Sequence, residues 1–129
     1  MPAVINMTVK DLALQVRHTM ELQWYRADLR GACVDASEAL IEQLKKSGYK
    51  AVLMGGYVKE DATNPLRKHN IPHHWVEFDG LVIDLTATQF GFAEKVFVFG
   101  TEAKEAIGYV TLYEYNNRKF PFGTLINRS

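Results

Sequence analysis

The chain has 129 residues, of which 47% are hydrophobic; this is enough for one core and too little for two, so we expect a single domain over residues 1–129. Its 15 basic and 15 acidic side chains cancel, with no basic block or acidic tail, which argues against nucleic acid and anionic membrane surfaces as partners. No stretch reaches the roughly 18 apolar residues of a membrane helix, and the start lacks a secretory pattern, so we expect a cytoplasmic protein.

Apolar residues recur at helical spacing in the first third of the chain. One such pattern predicts a helix from Thr8, as its cap, to about Asp28. A second helix is predicted over residues 32–47, with Gly48 able to adopt the left-handed conformation that ends it. Cys33 therefore lies in the first turn of the second helix.

Strand patterns follow the two helices. The candidates are residues 49–58, 73–78, 81–86, 94–99 and 109–115. Gly55 and Gly56 interrupt the first strand and predict a bulge or a close backbone approach. Residues 59–72 are polar and predict an exposed loop, and residues 101–106 predict a short helical stretch. Helices first and strands afterwards indicate an α+β fold with N-terminal helices packed on an antiparallel sheet.

The dipeptide Asp79-Gly80 favours a two-residue hairpin turn. Such a turn pairs Phe78 with Leu81 and, further along the strands, Trp75 with Asp84. Register fixes which side chains share a face, because successive residues of a strand point to opposite sides. A slip of the turn by one residue would reverse every assignment of face.

The register separates the two adjacent histidines. His73 is a diagonal cross-strand neighbour of Asp84 on one face of the hairpin, close enough for the imidazole to reach the carboxylate. His74 points to the opposite, apolar face, where we expect it to pack or to bond a backbone carbonyl. The histidine predicted to carry chemistry is therefore His73.

Cys33 is the only cysteine of the chain, which excludes an internal disulfide and leaves a buried thiol, a reactive thiol or an intermolecular bridge. The start of a helix favours the thiolate over the thiol, because its N–H groups and dipole stabilise an anion. An imidazole can exchange a proton with that sulfur, and a carboxylate can orient the imidazole. Cys33, His73 and Asp84 are thus candidate catalytic residues, although an inert thiol and a structural histidine–aspartate pair would show the same residues.

Metal binding is the competing interpretation of the histidines. His69, His73 and His74 are close in sequence, and Asp84 is predicted to be near. Two adjacent residues of a strand face opposite ways, however, and cannot readily ligate one ion. We therefore expect neither a metal nor another cofactor.

Two segments, "GACVDASEALIEQLKKSGYKAVLMGGYV" and "HHWVEFDGLVIDLTATQF", resemble the transglutaminase-like (papain-like) cysteine hydrolase superfamily over about residues 31–90. The resemblance lies in a cysteine that opens a helix, a histidine two residues before a tryptophan, and an aspartate on the next strand. It implies a papain/transglutaminase-like core. It also implies that Cys33 is the nucleophile, His73 the general base and acid, and Asp84 the orienting residue.

The activity implied by the resemblance is acyl transfer or hydrolysis through a thioester, as in peptidases, amidases, deamidases and transglutaminases. The substrate would be a peptide or protein amide, or a small amide or ester. The backbone N–H of Cys33 is one expected oxyanion donor. Papain-type enzymes place a glutamine before the cysteine; the nearest here is Gln23, followed by Trp24, and neither identifies the second donor. Trp75 is a candidate for substrate binding or for packing.

The same pattern is also similar to the leader peptidase of lasso-peptide maturation and to small stand-alone proteins of phage and bacterial genomes. A non-catalytic alternative remains on the same fold. In it, an open face around Trp75 and the loop at residues 59–72 would bind a peptide or protein. A purely structural domain is the third possibility.

Overall fold

The computed structural model describes residues 2–24 and 29–115, with side chains from residue 9 onward. Its regular elements are α1 (Pro2–Gln23), α2 (Cys33–Lys46), β1 (Val52–Val58), β2 (Ile71–Phe78), β3 (Leu81–Asp84), β4 (Phe97–Gly100), α3 (Lys104–Ile107) and β5 (Tyr109–Glu114). Short 3₁₀ turns lie at Pro65–Arg67, Ala87–Phe90 and Thr101–Ala103. Three α-helices and a five-stranded antiparallel sheet within the described ranges confirm the α+β class.

The helices differ from the prediction at their ends. α1 begins at Pro2 rather than Thr8, since a proline in the first turn lacks only an N–H that would have no intrahelical partner. It ends at Gln23, and Asp28 lies outside the described residues. The second helix is close to its prediction, with Gly48 in the left-handed region at a φ of 86°. No helix in the described ranges is both long and apolar enough to cross a bilayer.

The sheet has the strand order β4-β3-β2-β1-β5, with every neighbouring pair antiparallel. β2 is therefore the central strand. It is longer than β3, and the pairing between them covers residues 76–78 of β2. α2 packs against β2 and β1, which brings the first turn of this helix to the sheet.

The turn between β2 and β3 has the predicted register. Phe78 pairs with Leu81 across Asp79 and Gly80, and both turn residues have positive φ angles, 53° and 75°. Positive φ at both central positions is the property of a type I′ turn, whose twist matches that of the strands it joins. The register therefore places the side chains of β2 on the faces assigned from the sequence.

Apolar clusters cover both faces of the sheet. The cluster on the helix face includes Val16, Leu40, Val76, Ile83 and Leu85. The cluster on the other face consists of Val58, Trp75, Val82, Phe90 and Tyr109. The face around Trp75 is thus closed rather than open, because the chain after β3 returns over it with aromatic side chains. The expectation of an open binding face at Trp75 is wrong.

The glycine pair of β1 marks a bulge, as predicted. Gly55 pairs with Tyr113 and Gly56 with Thr111, so that Leu112 of β5 is an extra residue opposite the glycine pair. A Cβ atom on Gly56 would lie 1.8 Å from the carbonyl oxygen of Val110, which no side chain could tolerate. The bulge shifts the faces of β5, so residues of the same parity before and after it point to opposite sides.

The polar segment before β2 is mostly a loop. Residues 59–70 lie outside strands and contain the turn at Pro65–Arg67, whereas residues 71 and 72 already belong to β2. The predicted helical stretch near residues 101–106 divides into a 3₁₀ turn and α3.

Candidate active site

Cys33 is the first residue of α2. The N-cap is Ala32, and the first helical hydrogen bond runs from the N–H of Ala36 to the carbonyl of Ala32, at 2.8 Å. The thiol is fully buried and packs with Val34 and Leu53. Because the first N–H groups of a helix lack intrahelical acceptors, this position stabilises a negative charge on the sulfur.

His73 and Asp84 are in direct contact, as the hairpin register predicted. His73 Nε2 lies 2.7 Å from Asp84 Oδ2, and both side chains are buried. Asp84 also accepts hydrogen bonds from the backbone N–H of Thr86, at 2.9 Å, and from the hydroxyl of Tyr109. The hydroxyl of Thr86 donates as well, at 3.3 Å, so donors from three residues compensate the buried carboxylate for its lost hydration.

The imidazole of His73 also bonds the thiol of Cys33, so one ring joins sulfur and carboxylate. With Nε2 on Asp84, the Nδ1 atom is left for the sulfur. Burial raises the pKa of Cys33, but the hydrogen bonds from His73 and then His74 outweigh it and lower that pKa from 9.0 to about 6. The sulfur is therefore a thiolate at neutral pH.

His73 and Asp84 also have shifted pKa values, which set the charges beside the sulfur. Burial lowers the pKa of His73, yet the negative charge of Asp84 and its hydrogen bond raise it from 6.5 to about 9. Burial raises the pKa of Asp84, and the charge of His73 with the three hydrogen bonds lowers it below its ordinary value. Between pH 6 and 9 the three groups form a thiolate, an imidazolium and a carboxylate.

His74 contacts the same sulfur from the other face of β2. Its Nδ1 atom lies 3.6 Å from Cys33 Sγ, and its Nε2 atom lies 2.6 Å from the hydroxyl of Tyr113. We expected His74 to pack or to bond a backbone carbonyl: its ring does pack edge-on against Tyr113 and Tyr115, and its nitrogens bond the side chains of Cys33 and Tyr113. The apolar face of the hairpin is also the face that meets the start of α2, so a polar side chain there finds the thiol.

Two tyrosines of β5 belong to the site, and the sequence pattern did not identify them. Tyr109 donates to Asp84 on one face, and Tyr113 bonds His74 on the other. Regular alternation would place residues 109 and 113 on the same face; the bulge at Leu112 separates them. The repeated tyrosines of "YVTLYEY" were a signal of possible donors, but not of their partners.

Gln23 and Trp24, the weak candidates for substrate binding, lie at the end of α1. Gln23 is exposed at the end of α1, where it lines a groove between α1 and α2 with Ala39. The indole N–H of Trp24 donates to the carbonyl of Arg30, at 3.0 Å. Trp24 therefore braces the loop that leads into α2.

Trp75 is a core residue. Its side chain is fully buried, and its ring packs edge-on against Tyr109 with centroids 5.2 Å apart. Its indole N–H donates to Glu77, at 2.9 Å, and Glu77 also pairs with Lys104, at 2.7 Å. Of the two roles considered for Trp75, substrate binding does not fit this burial and packing does; its ring lies 6.1 Å from that of His73.

The histidines are not arranged as metal ligands. His69 is exposed in the loop between β1 and β2. His73 and His74 direct ring nitrogens at Asp84, Cys33 and Tyr113. In the part of the chain that the structure describes, no group of three or more histidine, cysteine or acidic side chains could hold a metal ion.

Comparison of the chain with family models, with curated proteins and with solved structures gave no match. The resemblance to transglutaminase-like enzymes therefore stays a prediction that rests on this chain's own residues. Its function has to be inferred from their chemistry.

Proposed function

We propose that the protein is a cysteine-dependent acyl transferase or hydrolase that acts on amides or esters through a thioester on Cys33. The observation that carries the proposal is the 2.7 Å hydrogen bond between His73 Nε2 and Asp84 Oδ2, beside a buried Cys33 whose pKa the hydrogen bonds from His73 and His74 lower. This is the arrangement that activates a nucleophile and orients its base.

The reaction begins with the thiolate of Cys33. The sulfur attacks the carbonyl carbon of the substrate, and the C–S bond forms as the carbonyl electrons move to oxygen. The oxyanion then collapses, the bond to the amine or alcohol breaks, and His73 gives its proton to the leaving group. Water, or an acceptor amine, attacks the thioester after losing a proton to His73, and the thiolate is released.

Asp84 and Tyr109 support His73 in this cycle. The carboxylate binds Nε2, which leaves Nδ1 as the ring nitrogen that can serve the sulfur, and it stabilises the imidazolium. Tyr109 remains a donor to Asp84, because burial and then the charge of Asp84 raise its pKa well above 10.0. The hydroxyl therefore fixes the carboxylate without giving up its proton.

The papain-like core, the peptide or small amide substrate and the cytoplasmic location belong to the same proposal. A reduced compartment suits an enzyme whose only thiol must stay free. Burial of Cys33 and His73 favours a slender acyl group, which reaches the sulfur past the half-buried side chains of Tyr113 and Tyr115. Of the two parts of the surface that the binding-domain alternative would use, the face around Trp75 is enclosed, and the loop at residues 59–70 is mostly exposed.

A small activated ester gives the simplest test. p-Nitrophenyl acetate should release p-nitrophenol in a burst equal to the enzyme concentration, with one acetyl group found on Cys33 by mass spectrometry of quenched peptides. Cys33→Ala should abolish the burst, and Tyr49→Phe, a change beside Phe78 in the helix-face core, should preserve it. A folded wild-type protein with no acetyl group on Cys33 would contradict the proposal.

A further inference from the structure

Acyl transfer to Cys33 develops negative charge on the carbonyl oxygen, and that charge needs two donors. We infer that His74 Nδ1–H is the second oxyanion donor beside the backbone N–H of Cys33, and that Tyr113 holds His74 in the donating tautomer. The inference rests on the proposed function and names a further catalytic residue for it. Three observations support it: the distance between His74 and Cys33, the position of the proton on the His74 ring, and the alignment of His74 with Tyr113 across the sheet.

The reach of His74 fits an oxyanion. His74 Nδ1 lies 3.6 Å from Cys33 Sγ, and the ring is buried with the sulfur. In a tetrahedral intermediate the oxygen and the sulfur are bonded to the same carbon, so the oxygen lies two bonds from the sulfur. A donor at this distance from the sulfur can come within the usual separation of about 2.7–3.1 Å from such an oxygen.

The tautomer follows from the two neighbours of the ring. A thiolate accepts hydrogen bonds and cannot donate, so the Nδ1 atom that faces Cys33 carries a proton. In the neutral ring Nε2 is then an acceptor, and the hydroxyl of Tyr113 donates to it at 2.6 Å. Burial and the charge of Cys33 raise the pKa of Tyr113 to about 12, which keeps the hydroxyl a donor.

The sheet is built to allow this contact. His74, Gly55 and Tyr113 form one row across β2, β1 and β5. The tyrosine ring crosses β1 over Gly55, where a Cβ atom would lie 2.3 Å from the ring carbon Cζ. The bulge at Leu112 turns Tyr113 to this face. A glycine and a bulge thus both serve the contact between Tyr113 and His74.

During the reaction the acceptor of the His74 N–H changes, because the negative charge moves. Before attack its N–H stabilises the thiolate; as the C–S bond forms, negative charge moves from sulfur to the carbonyl oxygen. The same N–H then follows the charge to the oxygen. His74 keeps its proton throughout, whereas His73 transfers one to the leaving group.

The test compares two reactions of Cys33 that differ in the oxyanion. Acetylation by p-nitrophenyl acetate passes through a tetrahedral oxyanion. Alkylation by iodoacetamide forms the C–S bond as iodide leaves, and no oxyanion develops. The ratio of the two rate constants, each taken on its high-pH plateau where the thiolate is fully formed, isolates oxyanion stabilisation from thiolate formation.

His74→Leu should lower this ratio by about 10²–10³-fold, the usual effect of removing one oxyanion donor. His74→Gln, which retains an N–H donor, should recover at least about tenfold over His74→Leu. Tyr113→Phe should lower the ratio by about tenfold, at the low end of what outer partners contribute to oriented imidazoles in metal sites. Tyr49→Phe is the matched control and should leave the ratio unchanged.

The outcomes separate the two proposals. A wild-type protein that is alkylated but not acetylated overturns the proposed function and the role of His74 with it. An active wild type whose ratio is unchanged in His74→Leu and in Tyr113→Phe overturns the role of His74 alone. If His74→Leu does not fold, the Tyr113→Phe ratio decides: a fall supports the inference, and a wild-type value overturns it.

Discussion

Two adjacent imidazoles approach one sulfur, and the groups behind them differ. His73 is backed by the carboxylate of Asp84, at 2.7 Å, and His74 by the hydroxyl of Tyr113, at 2.6 Å. The hydrogen-bond lengths are almost the same, but only one partner is charged. A carboxylate stabilises a protonated ring, whereas a phenol orients a ring without favouring its positive charge.

The difference assigns separate duties to neighbouring residues. The charge of Asp84 helps to raise the pKa of His73 to about 9, so this ring carries a proton that the leaving group can take. Tyr113 stays uncharged because burial and the thiolate hold its pKa near 12. In the mechanism that we propose, the imidazole of His73 therefore moves a proton, and the imidazole of His74 supplies a fixed N–H donor.

Exchanging each histidine for glutamine tests this division most severely. His73→Gln should lower acyl transfer by about 10⁶-fold at pH 7, as loss of the base does in an analogous triad. His74→Gln should remain at least about a hundredfold more active than His73→Gln, since glutamine can still donate an N–H. Single-turnover acetylation of Cys33 measures both, and equal losses would contradict the division.

Asp84→Asn tests whether the charge behind His73 matters. The substitution preserves the size of the side chain but removes the charge and favours the wrong tautomer of His73, so we expect about a 10⁴-fold loss. The pKa of His73 should also fall, because the charge of Asp84 raises it. NMR titration of the ring reads this shift; an unchanged pKa would refute the charge relationship.

The two tyrosines provide a matched pair for stability. Tyr109→Phe removes a buried donor from a carboxylate and should cost about 1.5–3 kcal/mol of unfolding free energy. Tyr113→Phe removes a hydrogen bond that involves no carboxylate and should cost about 0.5–1.5 kcal/mol. Urea denaturation compares the two unfolding free energies. A larger loss for Tyr113→Phe than for Tyr109→Phe would contradict a charged partner at Tyr109 alone.

The pH dependence of stability tests the ion pair itself. The raised pKa of His73 gives stability that is present below pH 6.5 and lost as pH rises through about 9. The lowered pKa of Cys33 gives stability that is present above pH 9.0 and lost as pH falls through about 6. Between pH 6.5 and 9 the two slopes oppose each other, so the wild-type stability should be nearly flat.

Cys33→Ser leaves only the contribution of His73, whose pKa the charge of Asp84 still raises. Its unfolding free energy should therefore fall as pH rises from 6.5 toward 9, by up to about 1.4 kcal/mol per pH unit. Urea denaturation at several pH values measures the slope. A variant as flat as the wild type would show that Cys33 and His73 do not share a proton.

The part of the site that depends on turns, register and helical spacing could be predicted from the sequence. Asp79-Gly80 specifies one turn, that turn specifies a register, and the register brings His73 to Asp84. The position of Cys33 at the start of α2 followed from helical spacing in the same way. Short-range geometry was sufficient in each case.

The remaining features depend on packing between distant segments. The bulge was expected at the glycine pair, but its effect on Tyr113 depends on which strand lies beside β1. Trp75 is enclosed because Phe90 and Tyr109 come from later parts of the chain. The contact of His74 with the sulfur could be predicted only if α2 was known to pack on the apolar face of the hairpin. Local sequence patterns do not predict which distant segments come into contact.

The central claim is that Cys33 is an activated thiolate, and its alkylation by iodoacetamide as a function of pH tests that claim most directly. Since Cys33 is the only cysteine, the intact mass of the protein reports the reaction. The rate should rise with a midpoint at the pKa of Cys33, about 6, and the midpoint should move upward in His73→Gln and in His74→Leu. A wild-type midpoint near the ordinary thiol pKa of about 8.5, or a folded protein that resists alkylation, would contradict the account.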